Sequence, residues 1–293
     1  MERQMILITG ASGNVGKAVL REVARKEARF RGMYRSQEEA ARAPAGCEPV
    51  IADFSDKASL RKALDGVTAV YVVCSPIPQL VELESNVVDS CKESGVKHVV
   101  LNSALGAGDY GKSFPSWHRK VEDKLKSTGM SYTILRPNGF MQNIVAFYAP
   151  SIRAQGAFYQ SMGDAKVSHI DVGDVAAVAV NSLYAGAHAG QIYELLGPEA
   201  VSNEELAKRI SKVAGRTVKF VDIPESAQRE AMLGMGMPEW QVTALLALQQ
   251  YYKQDGGAKT DGLLKSLLGR DPATLDQYLQ ANAKEFRDQA ASA

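Results

Sequence analysis

The chain has 293 residues, 45% of them hydrophobic, enough for one large α/β domain or one such domain with a smaller lobe. Its 34 Lys+Arg against 33 Asp+Glu leave a net charge of +1 with no basic block or acidic tail, which argues against nucleic acid or an anionic membrane surface as partner. No window approaches a membrane span, the apolar run in the start "MERQMILITGAS" is too short for a signal peptide, and Cys47, Cys74 and Cys91 share no metal-ligand spacing. The expectation is a soluble cytoplasmic protein with reduced thiols and no metal.

Along the chain, β-branched runs alternate with helical patterns. "MILIT" (5–9) reads as a strand, and "NVGKAVLREVARKEA" as a helix with Val15, Val19 and Val23 on one face. "FRGMYR" (30–35) is a second strand, "CEPVIADF" a third ending at Asp53, and "DKASLRKALDG" a helix closed by Gly66. "AVYVVCSP" (69–76) reads as a buried parallel strand, followed by the helix "QLVELESNVVDSCKESG" and the strand "HVVLNSA". A helix over 116–128 and the strand "SYTILRP" (131–137) complete a Rossmann-type, doubly wound α/β sheet. Residues 1–155 are expected to bind the nucleotide, with helix 171–186 and strand 191–197 returning to that sheet. The mainly helical remainder, 156–293, is expected to form a smaller substrate lobe over the carboxyl edge of the sheet.

"ITGASGNVGK" places Gly10, Gly13 and Gly16 between a strand and a helix, with Ser12, Asn14 and Val15 completing the turn. Gly10 permits the tight turn, Gly13 lets backbone approach a pyrophosphate, and Gly16 lets helix and strand pack closely. A plain βα turn is the alternative. At the end of the second strand stand Arg35 and Ser36, with no carboxylate, which points to NADP(H) over NAD(H). A solvated surface arginine is the alternative there. Asp53 and Phe54 are candidates to meet the adenine, although Asp53 equally suits a turn or helix cap. Cys74, Ser75, Pro76, Asn102, Ser103 and Pro137 fall at strand ends that should line the nicotinamide half of the groove.

Together "GASGNVG", "MYRS", "ADF", "W-H-x3-E", "YTILRPNGFMQN" and "HIDVGDVA" resemble the NmrA-like branch of the atypical short-chain dehydrogenase/reductases over about the first 195 residues. The resemblance implies NADPH-dependent reduction of quinones, azo dyes or triphenylmethane dyes, or else a regulator that binds dinucleotide without turnover. The general Tyr-x-x-x-Lys pair of short-chain reductases is missing, because Phe114 and His118 stand in its two places. Phe114 penalises ordinary ketone reduction, which leans on a positioned general acid. His118 is the candidate for a hydrogen bond to the nicotinamide ribose and for proton shuttling; a packed histidine is the alternative. Tyr110, Arg119, Lys120 and His169 are weaker candidates, and Asp171 and Asp174 read as capping residues.

Acceptors that delocalise an incoming electron pair need no concerted proton, so flat aromatic substrates suit a site without the tyrosine. Trp117, Phe140, Met141, Tyr148, Phe158 and Tyr159 are read as an aromatic wall, and Asn138 and Asn143 as groups that orient a substrate oxygen or nitrogen. For Phe140 and Met141, packing of a helix on the sheet is the equal alternative. Tyr251 and Tyr252 are candidates for an interface with a second copy or a partner protein. A redox sensor that binds NADP(H) and docks on a partner is the competing function.

Overall fold

The β-branched runs become the central strands of a sheet in a computed structural model, which describes residues 4–26, 28–107, 113–184 and 186–287. In chain order the first elements are β1 (Met5–Ile8), α1 (Asn14–Val23), β2 (Arg29–Tyr34), α2 (Gln37–Ala40), β3 (Cys47–Ile51) and α3 (Lys57–Ala63). Then come β4 (Ala69–Val72), α4 (Leu80–Glu93), β5 (His98–Asn102), α5 (Phe114–Ser127) and β6 (Ser131–Pro137). They are followed by α6 (Gln142–Gln155), β7 (Ala157–Gln160), β8 (Lys166–Val167), α7 (Val172–Tyr184), β9 (Gln191–Leu195) and β10 (Val201–Ser202). The chain continues with α8 (Asn203–Ala214), β11 (Lys219–Asp222), α9 (Glu225–Gly234), α10 (Glu239–Lys253), α11 (Leu263–Leu268) and α12 (Leu275–Ala281).

Seven strands pair in the order β3-β2-β1-β4-β5-β6-β9, and every pairing from β3 to β6 is parallel. This is a Rossmann-type α/β sheet whose strand order reverses between β1 and β4, the crevice where such sheets bind ligands. β1 and β4 are buried at every position, as their continuous apolar sequences require of strands covered on both faces. Helix α1 buries Val15, Val19 and Val23 with Leu20 and packs against α7. No helix among the described residues is long and apolar enough to cross a membrane.

The chain divides into two compact units. The first comprises residues 1–111, 115–136 and 172–194, so helix 171–186 and strand 191–197 lie mainly in it, as α7 and β9. The second comprises 112–114, 137–171 and 195–293. The chain thus leaves the first unit after Arg136 rather than at 155, because α6 buries Ile144, Ala149 and Ile152 in the second unit's core with Phe158, Leu206 and Leu279. In that unit β7 pairs in parallel with β11, and β8 antiparallel with β10.

Candidate functional site

The turn between β1 and α1 is built on contacts that forbid side chains. Gly10 has φ +57°, and a Cβ there would come within 2.9 Å of the Val73 carbonyl oxygen. A Cβ on Gly16 would sit 2.1 Å from the Gly10 carbonyl oxygen, so α1 can start this close to the strand only with glycine there. Thr9 Oγ1 accepts from the Val73 N–H at 2.9 Å, tying the ends of β1 and β4 together at the strand-order reversal. Gly13 is the N-cap of α1, no side chain caps it, and no acidic residue lies in its first turn. Helices α2 and α3, by contrast, are capped by Ser36 and Asp56. The first N–H groups of α1 therefore keep their donors and their positive dipole end for an anion.

Arg35 lies just past the end of β2 with its side chain 76% exposed, 3.6 Å from the Glu39 carboxylate of α2. Glu39 also accepts from the Arg35 backbone N–H, which with the guanidinium charge and Ser12 holds its carboxyl below the usual range. Ser36 Oγ accepts from the Glu39 N–H as a helix cap, so the hydroxyl has a local task. Asp53 is likewise held in a local turn by the Ser55 N–H and hydroxyl, the turn alternative read from the sequence; the cap of α3 is Asp56.

Towards the carboxyl ends of β4, β5 and β6 the first unit buries polar side chains. Asn102 Oδ1 accepts from Tyr71 Oη at 2.9 Å. Ser103 Oγ donates to Glu122 at 2.6 Å, which ties the Ser103 side chain to α5. Arg136 grips the same Glu122 with two hydrogen bonds of 2.8 and 2.7 Å. Burial alone would push Glu122 up, but the hydrogen bonds from Arg136 and Ser103, with the charges of Arg136 and Lys126, bring it below the usual carboxylate range.

His118, one turn before Glu122 on α5, is 6% exposed. Burial depresses its pKa to about 4 despite the Glu122 charge, so the ring is neutral at pH 7 and is no imidazolium acid by itself. Its Nδ1 has no hydrogen-bond partner and lies 4.0 Å from Glu84 Oε2 on α4. Glu84 is fully buried and neither carboxyl oxygen makes a hydrogen bond. Burial pushes it up to about 8, and the nearby Cys74 backbone N–H, outside hydrogen-bond geometry, opposes this only weakly.

The second unit holds most residues read as a substrate wall, and the structure separates them. Tyr148 stacks on Phe158 with ring centroids 4.7 Å apart, but Phe158 is fully buried in that unit's core. Tyr159 points to the other face of β7, as adjacent strand residues must, and its hydroxyl bonds Gln155 on the surface. Met141 is 1% exposed and packs in the core with Ile144, a packing residue rather than a free wall. Asn138 is also committed: its amide donates to Ser168 Oγ and the Gly257 carbonyl at 2.9 Å each, and its oxygen accepts from the Gly139 N–H. Phe140 and Tyr148 stay half-buried and Asn143 exposed. His169 and Tyr252 are both half-buried, Tyr252 against Val167 rather than exposed. Trp117 lies in the first unit, packed against its core, and Tyr110 falls outside the described residues.

Residues 2–290 match the NmrA-like family. The chain belongs to that family. Among its relatives, an NAD(P)H azoreductase of Xenophilus azovorans is 34% identical over 96% of this chain and 99% of its own. An NADPH-dependent quinone oxidoreductase of Escherichia coli, solved with NADPH, superposes with a TM-score of 0.87 at 27% identity, over 95% of this chain and 99% of that one. A triphenylmethane reductase of Citrobacter, solved with NADP(H), shares the fold at TM-score 0.85 and 24% identity over 95% and 99%.

Two features of this NmrA-like chain lie outside the sequence-derived candidates. Glu84 occupies the apolar stripe of α4 with Leu80, Val87, Val88 and Cys91. A carboxylate at an i, i+4 position of such a stripe is a legible signal of a buried acid. The grip of Arg136 on Glu122 joins two quoted motifs, "W-H-x3-E" and "LRPNGFMQN", that spacing alone does not connect.

Proposed function

We propose that the protein is an NADPH-dependent reductase that delivers hydride to an electron-delocalising aromatic acceptor, a quinone, azo compound or cationic dye. The observation that carries this reading is the uncapped N-terminus of α1 at the strand-order reversal, where Gly10 and Gly16 let strand and helix approach closely and leave backbone N–H groups for an anion. The cofactor supplies the hydride when bound. Gly10, Ser12, Gly13, Asn14, Val15 and Gly16 hold its pyrophosphate, and the exposed Arg35 with Ser36 holds the ribose phosphate. Asp53 and Phe54 border the adenine, and Cys74, Ser75, Pro76, Asn102, Ser103 and Pro137 border the nicotinamide. His118 donates to the nicotinamide ribose or to the acceptor. Trp117, Phe140, Asn143 and Tyr148 are the groups left to meet a flat acceptor once Met141 and Asn138 are taken up by packing and hydrogen bonds.

Phe114 in place of the usual tyrosine excludes that residue as proton donor, which fits acceptors whose product is a delocalised anion or a neutralised dye. The protein, mixed with NADPH and a panel of quinones, azo dyes and cationic dyes, is expected to oxidise the cofactor with at least one class. NADPH is expected to bind at least about tenfold more tightly than NADH, and Arg35→Ala to erase most of that margin. A preference for NADH would overturn the cofactor assignment. Tight NADPH binding without oxidation across the panel would favour the non-catalytic sensor, the reading that Phe114 also supports.

A further inference from the structure

We propose that Glu84 is a positioning residue that keeps a proton in reserve behind His118 and passes it through the imidazole to the reduced acceptor. This rests on the reductase reading above and supplies the proton that Phe114 cannot.

The geometry carries it. Two titratable side chains, one fully buried and one nearly so, face each other from α4 and α5, and the facing atoms, Glu84 Oε2 and His118 Nδ1, lie 4.0 Å apart with no hydrogen-bond partner, so a side-chain adjustment of about 1 Å brings them to bonding distance. Buried polar groups are almost always satisfied, so an orphaned carboxyl opposite an orphaned ring nitrogen marks a pair built to exchange a hydrogen bond. The other groups with an electrostatic hold on the pair are Tyr71 on β4, Cys74 just after it and Glu122 on α5. Burial pushes Tyr71 and Cys74 up, Cys74 to about 12, so both stay neutral near pH 8. Glu122 stays ionised in the grip of Arg136. Glu84 is therefore the member of the cluster that titrates between pH 7 and 9, and below about 8 it holds its proton.

Once the pair closes to bonding distance, a protonated Glu84 donates its O–H to His118 Nδ1, which fixes the imidazole as the tautomer with hydrogen on Nε2. When hydride reaches a quinone, the electron pair ends on oxygen as a phenolate. That oxygen takes the proton from Nε2, the C–O–H bond forms, and Nδ1 takes the proton from Glu84. The imidazole is neutral before and after, and the carboxylate regains its proton from solvent after the product leaves. A carboxyl near 8 can protonate a phenolate whose acid titrates near about 10, so the transfer runs downhill. A cationic triphenylmethane dye, quenched at carbon by hydride alone, needs none of this.

The test compares wild type with Glu84→Gln on two acceptors, a benzoquinone and a cationic triphenylmethane dye, across pH 6–9, with NADPH affinity as the control for integrity. Wild-type turnover of the quinone is expected to be level below about pH 8 and to fall above it, and the variant to be slower by about 10²-fold with no such break. Dye reduction and NADPH affinity are expected to change less than about twofold. Equal losses on both acceptors would show a structural role and overturn the proposal. An infrared band of a protonated carboxyl that is lost near pH 8 in the wild type, and absent from Glu84→Gln, is expected whether or not either acceptor turns over. Its absence overturns the proposal, whereas its presence beside an inactive wild type would remove the reductase reading alone.

Discussion

Glu84 and Glu122 sit in the same unit, each with no exposed surface, on successive helices of the sheet. Around Glu122 the protein has assembled two guanidinium hydrogen bonds, a serine hydroxyl and, at 3.6 Å, the Lys126 ammonium. Among the described residues no lysine or arginine pairs with Glu84, and the facing atom is the unpartnered nitrogen of a neutral histidine. One carboxyl is held ionised and the other protonated, although burial acts on both in the same direction. Burial sets the cost of a charge and the partners decide whether it is met. A fully satisfied ion cluster serves as scaffold, whereas an unsatisfied acid keeps its proton and with it the capacity for chemistry.

The comparison breaks most visibly at Arg136. Arg136→Ala leaves Glu122 as an undercompensated buried charge, and urea unfolding at pH 7 should register a loss of about 3–5 kcal/mol. The charge states predict a smaller, pH-dependent effect at Glu84. Its folded pKa lies above the unfolded one, so it contributes stability that is complete below the unfolded value of about 4.3 and is lost as pH rises to about 8. His118 has a depressed folded pKa, so its contribution is present above about 6.5 and is lost as pH falls towards about 4. The two slopes offset each other between roughly pH 4.5 and 6.5, and between 6.5 and 8 Glu84 acts alone. Wild type should lose about 2 kcal/mol relative to Glu84→Gln across that upper window in parallel denaturation curves. At Ser103, removal of the hydroxyl from an ion that keeps both Arg136 bonds sharpens the contrast further. Ser103→Ala should cost about 1.5 kcal/mol in the same assay with no new pH dependence near 8.

The first unit was largely legible because its signals are local. The glycine turn, the valine stripe of α1 and the β-branched strands each declare themselves within a dozen residues. Short elements escaped: α2 has four residues, and β8 and β10 two each, so no periodicity can build up. Phe158 and Tyr159 are neighbours in an aromatic-rich sequence, but strand alternation sends Phe158 inward and Tyr159 outward, so composition alone does not make a wall of them. Asn138 looked like a substrate ligand because its partner, the Gly257 carbonyl, lies 119 residues along the chain, and nothing local predicts such a bond. Glu84 was readable in principle as a charge inside an apolar stripe. Its pairing with His118 is a tertiary fact.

The three cysteines carry a separate consequence. Quinones are arylating electrophiles as well as oxidants, and the nucleophile they trap on a protein is the thiolate. Burial pushes all three thiols up, Cys74 and Cys91 to about 12. At pH 7 the thiolate fraction at those two positions is therefore on the order of one in 10⁵. If quinones are its acceptors, as proposed above, the protein has in Cys74 and Cys91 little thiolate for them to alkylate.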